Sequence, residues 1–161
     1  MRWSFRLMTV AGIGLYIHVT FFILLIWIGA SYYLPRHSFR DAFYGLAFVA
    51  ALFTIVVLHE LGHALTARRF GIRTRDITLL PIGGVARLER MPEDPRQELA
   101  VALAGPAVNV ALAVVFFAAL VLLGQPLLPM DMGDFSILSA NFVRRLLWVN
   151  IILAGFNLLP A

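Results

Sequence analysis

Apolar residues in this chain run together and do not alternate. Four stretches, residues 13–33, 43–67, 99–123 and 146–159, are almost free of charge. A helix crossing the hydrocarbon core needs about 20 predominantly apolar residues. The first three stretches meet that length, and the fourth, closed by Pro160, is shorter. The pattern predicts an all-α membrane protein with about four transmembrane helices. Between the second and third stretches, residues 77–88 form two short apolar runs broken by Pro81 and by Gly83-Gly84, a turn signal, which predicts a small β-hairpin. Residues 92–95 (Pro-Glu-Asp-Pro) then read as a turn and helix start, with acids near the following N-terminus.

Composition supports the membrane reading. Of the 161 residues, 61% are hydrophobic, against about half in a soluble domain, and the mean hydropathy is +0.87. Cysteine is absent, so there is no disulfide framework. A sequence pI near 10.3 raises nucleic acid as a partner. The arginines, however, flank apolar runs, and no nucleic-acid-binding motif is present. All 13 basic residues are arginine, and seven of them lie in residues 68–98. The positive-inside rule places that loop in the cytoplasm. Two crossings earlier, Arg2 and Arg6 put the N-terminus on the same side, which gives nine arginines there against four on the other. The expected location is the cell membrane, multi-pass, with the N-terminus and the 68–98 loop cytoplasmic. The first apolar run is too long for a signal-peptide core and lacks a cleavage pattern.

Polar chemistry is concentrated on the second helix, at His59-Glu60-Leu61-Gly62-His63. Two histidines four apart lie on one helix face, one turn apart, so both imidazoles can reach a single cation. Zinc (Zn²⁺) suits them, with a position left open for water, and Glu60 can serve as general base on that water. His59 lies about 24 Å along the helix from Phe43, within the cytoplasmic third of a membrane. Ionisable groups at that depth are costly and usually face a protein interior or a wet cavity. A bound metal explains why two histidines and a glutamate are tolerated together; the bland alternative is a chance match at a helix end. His18 reads as a hydrogen-bonded packing residue, and Trp3, Tyr32, Tyr33 and Trp148 as interfacial anchors.

Two further motifs narrow the chemistry. Ala104-Gly105-Pro106-Ala107-Val108-Asn109 resembles the G-P-x-x-N element of the site-2 proteases, the zinc intramembrane metalloproteases of peptidase family M50. Asn157-Leu158-Leu159-Pro160 resembles the start of that family's N-x-x-P-x-x-x-x-D-G motif. Gly83-Gly84-Val85 ahead of the third helix also fits, and the order of motifs matches across almost the whole chain. The resemblance implies His59 and His63 as metal ligands and Glu60 as catalytic base. It puts Asn109 and Asn157 at the substrate, the alternatives being an interhelical hydrogen bond for Asn109 and a helix end before Pro160 for Asn157. Gly83 and Gly84 are substrate-binding candidates if their hairpin offers an edge strand, the alternative being a plain turn. The resemblance also implies a third ligand, an Asp shortly after Pro160. The sequence stops at Ala161, before that Asp, and is read as C-terminally incomplete. Asp131 and Asp134 fall in the loop expected on the opposite side, and nothing places Asp76 at the metal.

The expected function is therefore zinc-dependent proteolysis of single-span membrane substrates within the bilayer, with Glu60 activating a zinc-bound water. The alternative is a catalytically inactive or truncated regulator that binds membrane segments without the third ligand. A metal transporter is disfavoured, because the acids other than Glu60 lie in loops or at helix ends.

Overall fold

In the computed structural model, which describes residues 3–35, 37–90, 92–128 and 140–158, the protein is mostly helical with a small β-sheet. The elements in order are β1 (Ser4–Val10), β2 (Ile13–His18), α1 (Val19–Tyr33), α2 (Phe39–Arg69), β3 (Thr74–Leu80), β4 (Gly83–Leu88), α3 (Pro95–Leu122) and α4 (Ala140–Leu158). Two helices, α2 and α3, are long and apolar enough to cross a membrane. With 31 and 28 residues they extend about 46 and 42 Å, beyond the roughly 30 Å hydrocarbon core. α1 is apolar but has 15 residues.

The expectation of an all-α chain with one hairpin is corrected at the N-terminus. Residues 13–18 do not open a helix; they form β2, and β1 precedes it. The two strands pair antiparallel from Val10↔Ile13 to Ser4↔His18. Their turn is Ala11-Gly12, both with positive φ (52° and 83°), the conformation of a two-residue type I′ hairpin. Ile13 and Leu15 are buried, whereas Gly14 and Tyr16 are half-buried, so β2 keeps a strand's period of two. That alternation is only six residues long and merges into the apolar helix that follows. His18 closes the strand, its Nδ1 2.8 Å from Thr20 Oγ1.

The hairpin expected before the third helix is present as β3–β4, but its turn is Pro81-Ile82. Gly83 and Gly84 begin β4, paired with Leu80 and Leu79. β2 and β3 run parallel, from Gly14↔Asp76 to Ile17↔Leu79, which unites both hairpins in one sheet of order β1-β2-β3-β4. β4 is thus an edge strand.

The helices begin and end where local chemistry dictates. Ser38 caps α2, its Oγ accepting from the Asp41 amide at 3.2 Å. α3 starts at Pro95, at the helix start read from residues 92–95 and ahead of the apolar run from 99, because Asp94 Oδ1 accepts from the Arg96 amide at 2.8 Å and Pro95 is pre-organised for the first helical position.

Two compact units emerge. The first joins residues 1–24 and 53–108; the second joins residues 25–52 and 109–161. In the first, Leu61 and Ala64 of α2 pack with Ile13, Leu15, Ile77 and Leu79 of the sheet. In the second, Gly45 lets α1 and α2 approach closely: a Cβ there would stand 2.5 Å from the Tyr32 ring. Leu120, Leu146 and Leu147 are buried in that unit, and Trp148 Nε1 donates to the Leu127 carbonyl at 3.0 Å.

Candidate metal and catalytic site

His59, Glu60 and His63 lie on the part of α2 that belongs to the first unit. The i, i+4 spacing brings the two imidazoles together as expected from helix geometry, with ring centroids 4.7 Å apart and planes at 80°. Their Nε2 atoms approach to 3.0 Å. Two nitrogens on one tetrahedral zinc would stand about 3.3 Å apart, given zinc–nitrogen bonds of roughly 2.0–2.1 Å. The pair is therefore within a few tenths of an ångström of a shared-cation geometry.

The tautomer of His63 follows from its other nitrogen. Nδ1 lies 2.7 Å from the backbone carbonyl of Val101 on α3. A carbonyl can only accept, so Nδ1 carries a proton, and in the neutral imidazole Nε2 presents a lone pair. This is the outer-shell arrangement that orients metal-binding histidines. Pro106 contributes to the same turn of α3. It has no amide to give to the Ala102 carbonyl one turn back.

Glycines set the close approaches. A Cβ on Gly105 would lie 2.2 Å from His63 Nε2 and 2.7 Å from His59 Nε2, so α3 offers a bare backbone over the paired nitrogens. A Cβ on Gly62 would lie 2.7 Å from the Ala104 carbonyl oxygen, so the glycine between the histidines is what lets α2 meet α3. On the other side, a Cβ on Gly84 would meet Glu60 Cγ at 2.7 Å, and the Ala86 backbone lies near the Glu60 carboxylate. Edge strand β4 thus holds the glutamate in place.

The structure brings together four of the seven expected site residues, His59, Glu60, His63 and Gly84; Gly83, the preceding residue of β4, has nothing within 4 Å of its Cβ position. Asn109 and Asn157 belong to the second unit. Asn109 is fully buried on α3; Asn157 is exposed and donates to the Leu153 carbonyl of its own helix at 2.8 Å. Sequence reasoning missed the Val101 carbonyl and the Ala86 backbone, which no side-chain pattern announces. It also passed over Gly62, although a glycine inside a helix carries a cost of about 1 kcal/mol that calls for a reason.

Residues 47–161 match the family model described as Peptidase family M50. The chain belongs to that family. A zinc metalloprotease of Methanocaldococcus jannaschii is 35% identical to this M50 chain over 162 residues, which cover 100% of the chain and 42% of the relative. A Synechocystis protein carrying a zinc metalloprotease name is 34% identical over 166 residues, covering 99% of the chain and 41% of that relative. The solved structure of a site-2 protease from Methanocaldococcus jannaschii matches with a TM-score of 0.70 at 31% identity, over 99% of this chain and 66% of that one. The M50 chain thus spans about two fifths of the length of these two sequence relatives.

The paired Nε2 atoms, the tautomer fixed by Val101 and the bare backbone at Gly105 fit a zinc ion as two of its ligands. Among the described residues no group of three or more His, Cys, Asp or Glu is arranged to hold a metal. Asp76 is engaged elsewhere: Arg87 Nε donates to its Oδ1 at 2.8 Å, and a second guanidinium nitrogen contacts Oδ2. Asp131, Asp134 and Pro160 lie outside the described residues.

Proposed function

We propose that this chain carries the catalytic helix of an intramembrane zinc metalloprotease that cleaves single-span membrane proteins. The observation that carries the reading is a pair of facing imidazole nitrogens with an adjacent carboxylate, on a helix long and apolar enough to cross a membrane. His59 and His63 would hold the ion, together with a ligand from outside the described residues. When bound, zinc polarises a carbonyl and lowers the pKa of water toward about 7.

The chain's own residues supply the rest. Glu60 takes the proton of the attacking water and returns it to the leaving amine. The Ala86 backbone and the close packing of Gly84 keep the carboxylate oriented for that transfer. β4, as an edge strand, can pair with an extended substrate segment, so that a helix unwound at the scissile bond gains backbone hydrogen bonds. Asn109 and Asn157 are proposed as substrate-binding residues on the strength of their motifs. α1 and α4 are proposed as further spans, with the arginine-rich segment between α2 and α3 on the cytoplasmic side.

Cleavage of a transmembrane peptide by purified protein, set against the Glu60→Gln variant, tests the mechanism. The variant is expected to lose about 100-fold or more of the rate, in line with general acid–base contributions, while keeping its zinc. Equal cleavage by both proteins would contradict the role of Glu60.

A second reading, a non-cleaving protein that retains membrane segments, draws on the two-histidine ligand set among the described residues. It predicts co-purification of a single-span partner without any product.

A further inference from the structure

The C-terminal end of α2 borders a second cavity, of about 610 Å³, whose lining does not include His59, Glu60 or His63. Arg68 and Arg73 line it, together with Thr74, Gly12 and Gly71. Arg68 spends one donor on the Ala11 carbonyl, at 3.2 Å, which holds its guanidinium against the β1–β2 turn and leaves most of its donors unused. Among the described residues Arg73 has no side-chain hydrogen bond or ion pair. The Thr74 hydroxyl is buried, also with no partner among the described residues.

Among the described residues no acid pairs with Arg68 or Arg73. The last carbonyls of α2 are already satisfied: Ala67 accepts from the amides of Phe70 and Ile72, and Arg68 from that of Gly71. The arginines are therefore not needed to cap the helix. Asp76, the nearest acid in sequence, is taken by Arg87. Two guanidiniums without a counter-anion among the described residues match a tetrahedral oxyanion, which arginine recognises through parallel N–H···O bonds. The position adds a source. α2 is one of the two helices able to cross a membrane, and a basic pocket at the end of such a helix lies at headgroup level.

We infer that this cavity binds a phosphate anion, with the phosphodiester of an anionic phospholipid as its natural source. The inference does not depend on proteolytic activity. Native mass spectrometry of the purified protein, titrated separately with phosphatidylglycerol, phosphatidylcholine and inorganic phosphate, tests it. Phosphatidylglycerol is expected to bind more tightly than phosphatidylcholine, and the double variant Arg68→Gln, Arg73→Gln to weaken it by about tenfold or more. Arg75→Gln, at an exposed arginine outside the cavity, is expected to leave binding unchanged. The double variant Arg68→Lys, Arg73→Lys keeps both charges and is expected to keep the discrimination between the two lipids. Competition by inorganic phosphate would assign the site to phosphate in general; binding of the lipid without such competition would assign it to lipid-borne phosphate. Wild-type affinity in the Gln double variant, an equal loss in Arg75→Gln, or equal binding of the two lipids would overturn the inference, as would loss of discrimination in the Lys variant.

Discussion

The two units of the molecule are built by different means. The second unit buries Leu120, Leu146 and Leu147, uses small-residue contacts such as Gly45 against Tyr32, and has buried polar groups of its own in Asn109 and Asn150. The unit that carries the histidines combines a four-stranded sheet with three glycines, each facing a chemical group. At Gly62 that group is the Ala104 carbonyl, at Gly84 the Glu60 side chain, and at Gly105 the two imidazoles. Both units bury apolar side chains, but around the histidines the packing also answers to the position of a few polar atoms. A substitution of similar size should therefore have different consequences in the two regions.

The largest expected effect is at Gly105. An added methyl would occupy the space beside both Nε2 atoms, and His63, tied to Val101, cannot swing away without losing its hydrogen bond. Gly105→Ala is expected to weaken zinc binding by about 10- to 100-fold, the range seen when outer-shell support of a metal ligand is lost, with little loss of helix content. Zinc titration alongside circular dichroism checks this. Gly62→Ala makes the sharper contrast, since the atom in its way is a backbone oxygen. It should separate α2 from α3 and lower stability by about 1–3 kcal/mol, measured by unfolding in detergent.

Leu120→Ala tests the other half of the comparison. Leu120 is fully buried in the second unit, so its truncation should cost about 2 kcal/mol or more while zinc affinity stays at the wild-type value. A fall in zinc affinity as large as that of Gly105→Ala would show that the two regions are not separable in this way. The smallest effect is expected for Asp76→Asn. It breaks a cross-strand ion pair whose arginine is nearly half exposed, so solvent already screens much of the attraction. A slight decrease in melting temperature, with cleavage and zinc retained, would confirm that Asp76 serves the sheet and not the metal.

What the sequence disclosed follows the same division. Long apolar runs located α2 and α3, because a helix buried in lipid needs no period, only length. The histidine spacing located the imidazole pair, because an i, i+4 relation is fixed by helix geometry whatever surrounds it. The N-terminal sheet was not legible for a related reason. β2 offers six residues whose alternation continues directly into the apolar run of α1, so hydropathy joins them into one segment. Ala11-Gly12 was the available turn signal, weakened by an alanine at a positive φ. The Val101 carbonyl and the Ala86 backbone were beyond reach because backbone groups carry no residue identity. The closeness behind Gly105 was legible only as a general preference for small residues between helices. Which group it faces is decided by tertiary packing.

The central claim is that His59 and His63 present their Nε2 atoms to one zinc ion. X-ray absorption at the zinc edge, on protein purified with its metal, measures that directly. Two imidazole nitrogens at about 2.0–2.1 Å are expected in the first shell, with both lost in the His59→Ala, His63→Ala protein. A first shell without imidazole, or one unchanged after both substitutions, would contradict it.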